Sequence, residues 1–249
     1  MRLFAHQLRA EQLVFWRSRE AAVFIFIFPI MLFLLLGSVY EGRTDEGWEL
    51  SDVLLVGLIG YGAANTAFAG LAITLVIRRE DGLLKRLRGT PLPAPIYGLA
   101  VLASTLTIFL FQTLVLIGIG KALFGAHFPE RPFSLLLAIV LGALSFAGLG
   151  VAAAALIRSS EGASAVVNVI VLPMAFLSGS FGPTRSLPQA LETLGDVLPL
   201  KHLLDVVGGI YLEDEHVFFD PGSLAVVLAW GLVGLVVAAR RFGWEPRER

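Results

Sequence analysis

The stretch RREDGLLKRLRGTPLPAP, residues 78–95, lies between two long apolar runs and determines how the rest of the chain is arranged. It contains five of the 19 basic residues of the chain, namely Arg78, Arg79, Lys85, Arg86 and Arg88. Leu83, Leu84 and Leu87 are spaced to share one face of a short helix. The prolines that follow Thr90 prevent that helix from continuing into the next apolar run. The sequence therefore predicts a short amphipathic helix held between two apolar segments.

The composition indicates a protein that is embedded in a membrane. Hydrophobic residues make up 56% of the 249 positions and charged residues only 16%, whereas soluble domains contain about 25% charged residues. The apolar residues fall in runs of about 20, the length that crosses roughly 30 Å of hydrocarbon. We therefore predict an all-α integral membrane protein in contact with lipid. The net charge of −1 does not indicate a nucleic-acid partner, and the lack of cysteine excludes disulfides.

Six apolar runs predict six transmembrane helices within a single domain, residues 1–249. The predicted spans lie at about residues 22–40, 53–77, 97–120, 133–157, 163–181 and 222–239. The first run follows a charged segment, so we expect it to be a retained span and not a cleavable signal peptide. The small residues that recur in the second and fourth runs favour close packing of helix backbones.

Two other segments are predicted to be helical without crossing the membrane. Residues 1–21 have an apolar face, and Trp16 with Arg17 suits a headgroup boundary, so we predict an interfacial helix. An ordinary solvated N-terminal helix is the alternative. Residues 182–221 contain four prolines and charges of both signs, yet their leucines and valines recur at helical spacing. We predict a half-buried outer helical hairpin that re-enters the membrane before the last span.

The distribution of basic residues predicts the orientation of the chain. Fourteen lysines and arginines fall on one side of the predicted spans and five on the other. Basic residues are enriched in cytoplasmic loops. Both termini and residues 78–95 are therefore expected to be cytoplasmic, in a multi-pass protein of the plasma (inner) membrane.

The predicted spans contain no ionisable residue away from their ends, which argues against a proton- or sodium-driven carrier. Asn65, Gln112 and Asn168 are the strongest polar residues left at depth, and we take them as candidates for a translocation path. The alternative is that each of these side chains only forms a hydrogen bond with a neighbouring helix. No metal site is predicted, because a solvated acidic loop explains the carboxylates near His216 better than a cation site.

Two enzyme interpretations receive little support. A Gly/Ser segment, residues 178–182, could hold a nucleophilic serine, but nucleophilic catalysis needs a base within reach, and no histidine lies in a predicted span. The sequence also lacks a glycine-rich nucleotide loop, since residues 118–122 do not have the required spacing. We therefore expect no catalytic residue, and any ATP that powers this protein would bind to another chain.

Several segments resemble those of one family. Glu80–Pro91, EDGLLKRLRGTP, closely resembles the coupling element of type-2 ABC exporter permeases, although Leu83 stands where that family often has threonine. Pro173–Phe181, PMAFLSGSF, is similar to the family's ending of the fifth span. Leu187-Pro188, Leu198–Leu200 and Arg240–Phe242 resemble its later elements, so the resemblance covers essentially the whole chain.

This resemblance implies a mechanism and a set of partners. Two permease chains, as a homodimer or a heterodimer, would each hold one cytoplasmic ABC ATPase subunit, so that two ATPase copies bind ATP and Mg²⁺ and this chain binds neither. Residues 78–95 would be the coupling segment, with leucines in a groove of the ATPase and charged residues at its rim. The implied coupling residues are Glu80, Gly82, Leu83, Leu84, Lys85, Arg86, Leu87, Arg88, Thr90 and Pro91.

The resemblance also implies two further contact regions and a function. Arg158 and Glu161 would form a second cytoplasmic turn. The implied outer gate consists of Pro173, Phe176, Leu177, Ser178, Gly179, Phe181 and Pro199. We therefore expect the transmembrane subunit of an ATP-driven exporter for a lipidic, glycolipid or drug-like substrate. A stand-alone channel or secondary carrier that is not coupled to an ATPase is the alternative.

Overall fold

The computed structural model describes residues 2–40, 42–44, 47–182 and 188–245, and these parts of the chain contain helices and no strand. Only an isolated bridge joins Arg43 to Glu49 within these ranges. Met1, Leu187 of the predicted outer hairpin and residues 246–249 of the basic tail lie outside the described residues. The prediction of an all-α chain is confirmed.

The helices follow one another with short connections. They are α1 (Arg2–Arg17), α2 (Arg19–Val39), α3 (Leu50–Gly62), the π-helical segment (Ala63–Gly70), α4 (Leu71–Glu80), α5 (Leu83–Arg88), α6 (Ala94–Phe124), α7 (Pro132–Leu156), α8 (Ser160–Leu177), α9 (Gln189–Gly195), α10 (Pro199–Leu212) and α11 (Pro221–Arg241). Since α3, the π-helical segment and α4 are continuous, they form one span, Leu50–Glu80.

Six helices are long and apolar enough to cross a membrane, which confirms the predicted number of spans. They are Arg19–Val39, Leu50–Glu80, Ala94–Phe124, Pro132–Leu156, Ser160–Leu177 and Pro221–Arg241. The fifth ends at Leu177, short of the predicted limit at residue 181. Its end is a turn in which Gly179 has a φ of +82° and the Ser180 N–H donates to the Ala175 carbonyl.

The second span is the centre of the bundle. Its most apolar stretch is 89% buried, compared with 17% for the first span and 28% for the fifth. Glycines allow its neighbours to come this close: a Cβ at Gly57 would lie 2.3 Å from the Ser180 carbonyl oxygen, and a Cβ at Gly150 of α7 would lie 2.7 Å from the Phe68 carbonyl oxygen. Small residues are what permit such backbone contact inside a membrane.

The N-terminal helix α1 leaves several apolar side chains exposed and buries one carboxylate. Leu3, Val14 and Trp16 are exposed, whereas Glu11 is buried. The Gln12 side chain donates to both the backbone oxygen and the hydroxyl of Ser104, which holds α1 against α6. An outward apolar face suits a helix that lies along a membrane, and the interfacial position stays a prediction.

The outer hairpin is asymmetric. Helix α9 is exposed except at Gly195, while α10 buries Leu203 and Val207 among α3, α7 and α11. The Trp230 indole of α11 donates to the Val197 carbonyl in the connecting turn. The hairpin is thus half-buried against the other helices, and its depth in a membrane stays a prediction.

Candidate coupling surface and transmembrane cavity

The short helix α5 begins directly after Gly82, whose φ of +69° is a left-handed conformation that favours glycine. Its three leucines do not share one environment. Leu84 is fully buried in the core of the chain, Leu87 is half-buried against that core, and Leu83 is 39% exposed. Leu84 therefore cannot enter a groove of another protein in this conformation, and for that residue the expected groove contact is wrong: it anchors α5 to the spans.

The outward surface of the coupling segment is basic. Lys85, Arg86 and Arg88 are exposed, as are Thr90 and Pro91. The Arg86 guanidinium donates to the Asp81 carbonyl at 3.0 Å and so stays close to the helix. The Thr90 hydroxyl donates to the Leu87 carbonyl at 2.7 Å and closes the last turn. This surface is suited to a partner with carboxylates.

Behind this surface, a buried ion pair joins α1 to the end of the second span. A guanidinium nitrogen of Arg78 lies 2.6 Å from a carboxylate oxygen of Glu11, and both side chains are largely buried. Arg78 also donates to the Tyr97 hydroxyl at 2.9 Å. The Tyr97 ring lies 6.0 Å from that of Trp244, so the described part of the C-terminal tail reaches the same cluster. Glu11 interrupts the apolar face of α1 in the sequence because it serves this pair.

The neighbouring Arg79 is 1% exposed and belongs to a different set of contacts. Its guanidinium donates to the carbonyls of Ala154 and Ile157 at the end of α7, at 2.8 and 2.7 Å. Its Nε lies 3.2 Å from a carboxylate oxygen of Glu80. The sequence indicates only that Arg79 is one of the basic residues of the segment 78–95, since no local pattern shows that backbone oxygens so distant along the chain lie beside it.

The turn that we predict to be the second cytoplasmic turn lies beyond those carbonyls. Arg158 and Glu161 are both exposed. The Ser159 hydroxyl accepts a hydrogen bond from the Gly162 N–H and caps the start of α8. Such a cap satisfies one of the free N–H groups at a helix start. The turn is therefore a short, defined surface at the end of the fourth span.

The middle of the second span is a π-helical segment, Ala63–Gly70, which carries Asn65 and Thr66. π-helical turns are rare and occur frequently at functional sites. The close approach of Gly150 to the Phe68 carbonyl places α7 against this segment. Asn65 is the only residue of the second span with an amide side chain, and it lies where the backbone departs from regular α-helical geometry.

A cavity of about 700 Å³ lies beside this segment, between α1, α2, the second span, α6 and α8. Most of its wall is apolar, with Phe15 and Ile108 among the lining residues. Polar side chains also line it: Asn65, Thr66, Ser104, Thr105, Ser164 and Asn168. The Glu11–Arg78 pair and Leu83 lie on the same wall, so the cavity extends to the coupling segment.

The structure brings together two of the three predicted path residues. Asn65 and Asn168 line the cavity, whereas Gln112 does not and instead accepts a 2.8 Å hydrogen bond from the Thr66 hydroxyl. Within the described parts of the chain, the Asn65 Nδ2 and Gln112 Nε2 atoms are buried without a hydrogen-bond partner. A buried amide without a partner is costly, and in Asn65 that amide belongs to a cavity wall.

The predicted outer-gate residues surround the end of the fifth span. The Phe181 ring lies 4.9 Å from that of Phe176 and 5.2 Å from that of Tyr61. Ser178 is buried, Leu177 and Gly179 are half-buried, Pro173 and Phe176 are exposed, and Pro199 is buried at the start of α10. The Ser178 and Ser180 hydroxyls are buried with no partner among the described residues, so neither has a base that could activate it.

The comparison with known proteins identifies the family. The family model described as ABC-2 type transporter matches residues 2–212. The chain belongs to the ABC-2 type transporter family. It is therefore a multi-pass membrane protein of the permease type, and this family generally works with an ATPase subunit.

Three curated relatives have permease names. The Escherichia coli (strain K12) protein named "Probable multidrug ABC transporter permease YbhR" is 26% identical over 181 residues, which cover 73% of this chain and 48% of YbhR. The Bacillus subtilis (strain 168) protein named "Putative transport permease YvfS" is 26% identical over 210 residues, or 81% of this chain and 82% of YvfS. The linearmycin resistance permease protein LnrN of the same organism is 24% identical over 197 residues, or 76% of this chain and 49% of LnrN. The chain thus spans about half the length of YbhR and LnrN.

Proposed function

We propose that this ABC-2 permease is the transmembrane subunit of an ATP-driven exporter that receives energy from a separate cytoplasmic ATPase chain. The observation that supports this most directly is the build of α5. Leu84 and Arg79 fix its base in the bundle, while Lys85 and Arg88 remain exposed on its outer surface. The Lys85 ammonium lies 3.9 Å from a carboxylate oxygen of Glu245, and both side chains are exposed, so this contact can give way to a partner. A helix that is rigidly rooted and exposed on its outer surface can pass a rigid-body movement of a bound protein into the spans.

The chemistry of this surface specifies the partner. Leu83 is a half-exposed apolar side chain next to exposed cations. The matching groove on the ATPase would have an apolar floor and an acidic rim, because opposite charges steer and orient association. The second cytoplasmic turn, with Arg158 and Glu161, would add a further contact. Glu80, Gly82 and Leu87 would support the helix from behind.

The proposed assembly contains two permease chains and two ATPase subunits, and ATP with Mg²⁺ binds to the ATPase subunits. The first and fifth spans are the least buried, so they have apolar faces that lipid or a second permease can cover. A homodimer would be the simplest assembly in which a second permease covers these faces. The excess of basic residues beside α1, α5 and the tail supports a cytoplasmic position for both termini in the inner membrane.

We further propose that the cavity beside the π-helical segment belongs to the translocation path. Its apolar wall and its amides at Asn65 and Asn168 suit an amphiphilic substrate that is uncharged at depth. The names of YbhR and LnrN refer to drugs and to linearmycin resistance, which favours a drug-like or lipidic cargo here. The residues around Phe181 would form the outer gate, and movement toward the outside completes the export cycle.

Purification of the full chain from native membranes in mild detergent tests this proposal. We expect an ABC ATPase chain to co-purify, and its recovery to fall at least about tenfold in Leu83→Asp and Arg88→Glu, since each removes a docking contact at the centre of the surface. Lys121→Glu, an exposed lysine at the other end of the third span, is the matched control and should retain the ATPase.

Failure to recover an ATPase, together with movement of doxorubicin down its gradient in liposomes that contain only this chain, would contradict the proposal. That outcome would indicate a stand-alone channel or carrier. Equal ATPase recovery from the control and from both docking variants would place the docking surface elsewhere.

A further inference from the structure

Arg79 has the largest fully buried side chain in the described part of the protein. Burial of a guanidinium is costly unless hydrogen bonds and an opposite charge compensate it. Here the Ala154 and Ile157 carbonyls accept from its two terminal nitrogens, and Glu80 provides the negative charge at 3.2 Å. An arginine that only sets the orientation of the chain in the membrane does not need to be buried or bonded in this way. Exposed arginines such as Arg240 provide the same charge to the cytoplasmic side.

The acceptors show what the side chain holds. Helix α7 ends at Leu156, and the last carbonyls of a helix have no partner within that helix. The planar guanidinium can donate to two such oxygens at once, and its charge is favourable at the negative end of the helix dipole. Lysine has a single compact ammonium and cannot reproduce this two-point contact. Arg79 therefore caps the cytoplasmic end of the fourth span.

Both cytoplasmic connections start at this contact. On one side, Glu80 and the turn at Gly82 lead directly into α5, whose Leu84 is buried against the same bundle. On the other side, Ile157 is followed at once by the second cytoplasmic turn, with Arg158. One side chain thus joins the bases of two segments that are far apart in sequence.

We propose that Arg79 is a positioning residue that makes the coupling segment and the second cytoplasmic turn move as one body. This inference rests on the proposed ATPase docking and adds the route by which movement enters the bundle. A displacement of α5 is transmitted through Arg79 to α7. The backbone contact of Gly150 with Phe68 then passes it to the π-helical segment and to the cavity beside it. The second span and the fourth respond together because both are held at this point.

The first test measures a distance between labels. The chain has no cysteine, so Asp81→Cys and Leu156→Cys introduce the only two attachment sites for spin labels. The labelled permease is diluted with unlabelled permease, assembled with its ATPase in nanodiscs and studied without nucleotide and with ATP. We expect the same distance distribution in both states for the otherwise native chain, and a distribution that broadens or shifts with ATP in Arg79→Gln.

The second test measures the stimulation of the ATPase. The stimulation is the ATP hydrolysis rate of the complex divided by that of the free ATPase subunit, and Arg79→Gln should reduce this ratio by about tenfold. The amount of ATPase that co-purifies should stay within about twofold, because the docking residues are intact. Arg79→Lys should lie between, since it retains charge and loses the two-point contact. Arg240→Gln removes one exposed cytoplasmic charge and should match the native chain in both readouts.

Distinct results would overturn the inference. A label distance that changes with ATP in the native chain would show that the two connections move independently. If Arg79→Gln stimulated the ATPase as strongly as the native chain does, Arg79 would not transmit the movement. If Arg79→Gln cannot be purified, the same result in Arg79→Lys would lead to the same conclusion. Loss of ATPase co-purification from the native chain would instead overturn the proposed function itself.

Discussion

Buried polar side chains have opposite surroundings at the Arg78 end of the second span and at its middle. At the Arg78 end, Arg78, Arg79 and Glu11 are buried, and each has an ion pair or hydrogen bonds. In the middle, the amide nitrogens of Asn65 and Gln112 are equally buried and lack partners within the described residues. The end of the span is α-helical and the middle is π-helical, with Gln112 facing it from α6, so the two regions differ both in backbone geometry and in the groups that surround them.

This difference indicates which part of the bundle is held rigidly and which part is free to respond. Satisfied buried charges hold neighbouring elements in a single arrangement, because breaking any one pair leaves an uncompensated charge. An unpaired amide beside a cavity imposes no such constraint, and its buried nitrogen could donate to a ligand after a small side-chain movement. A rigid end and a less constrained middle suit the proposed permease that is driven by a cytoplasmic ATPase.

The largest expected effect comes from breaking the paired end. Arg78→Met leaves the Glu11 carboxylate buried without its cation, and we expect a loss of about 3 kcal/mol in the free energy of unfolding. Glu11→Leu should cost slightly less, because Arg78 keeps its hydrogen bond to Tyr97. The double variant Glu11→Leu/Arg78→Met should recover more than half of the larger loss, since no charge remains unpaired. Equilibrium unfolding with SDS in mixed micelles measures all three, and simple additivity of the single losses would show that the pair makes no energetic contribution.

A smaller and opposite effect is expected in the middle. Asn65→Leu removes an unpaired amide, so the free energy of unfolding should stay level or rise by up to about 1 kcal/mol, while ATP-dependent transport of doxorubicin into inverted vesicles should fall about tenfold. Gln112→Leu is the matched control: it also removes an unpaired amide but deprives the Thr66 hydroxyl of its acceptor, so it should be less favourable to stability than Asn65→Leu by about 1 kcal/mol, with little loss of transport. If Asn65→Leu destabilised the chain and left transport intact, the amide would be structural and the contrast between the two regions would disappear.

The smallest effect is expected from a third charged contact, at the opposite end of the second span. His127 lies in the connection between α6 and α7, and its Nδ1 is 2.8 Å from an oxygen of Asp52. The hydrogen bond to Asp52 and the charge of that carboxylate raise the pKa of His127 above its ordinary value, with smaller contributions from Glu49 and Asp214. Because 77% of the His127 side chain is exposed, solvent screening leaves this pair weak.

The sign of its pH dependence follows from that shift. A raised pKa in the folded state stabilises the protein fully below the ordinary histidine pKa of about 6.5, and this contribution is lost as pH rises through the higher folded-state value. His127→Gln should therefore lower the melting temperature by at most about 2 °C in acid, and the difference from the native chain should vanish at alkaline pH. Thermal unfolding in detergent across this range measures it. A difference that grew with pH would contradict the assigned direction.

Much of the architecture could be predicted from the sequence because its signals are local. Runs of apolar residues as long as Ala94–Phe124 specify a span without reference to any neighbour. The prolines after Thr90 likewise specify the end of α5. The segment Glu80–Pro91 resembles one family, and the match of that family's model to residues 2–212 confirms the membership.

Other features depended on residues that are distant in sequence. The three leucines of α5 look equivalent in the sequence, but Leu84 is buried and Leu83 is not, because the bundle covers only one side of the helix. Glu11 and Arg78 are 67 positions apart, and no pattern in the sequence pairs them, but the fold brings them to 2.6 Å. Asn65, Gln112 and Asn168 also look alike in the sequence. The packing of α6 and α8 around the second span places Asn65 and Asn168 on the cavity wall and leaves Gln112 in a hydrogen bond between helices.

The sequence by itself determined the number of spans and the place of the short helix α5 between two of them, since hydropathy, proline and glycine act through bonds and a few neighbouring residues. The tertiary structure alone decided which charges of the described residues are buried, which of their amides remain unpaired and which side chain bonds to the end of α7. Arg79 shows the reason. Its role depends on the carbonyls of Ala154 and Ile157, and backbone oxygens look the same at every position of a sequence until folding brings particular ones within hydrogen-bond distance.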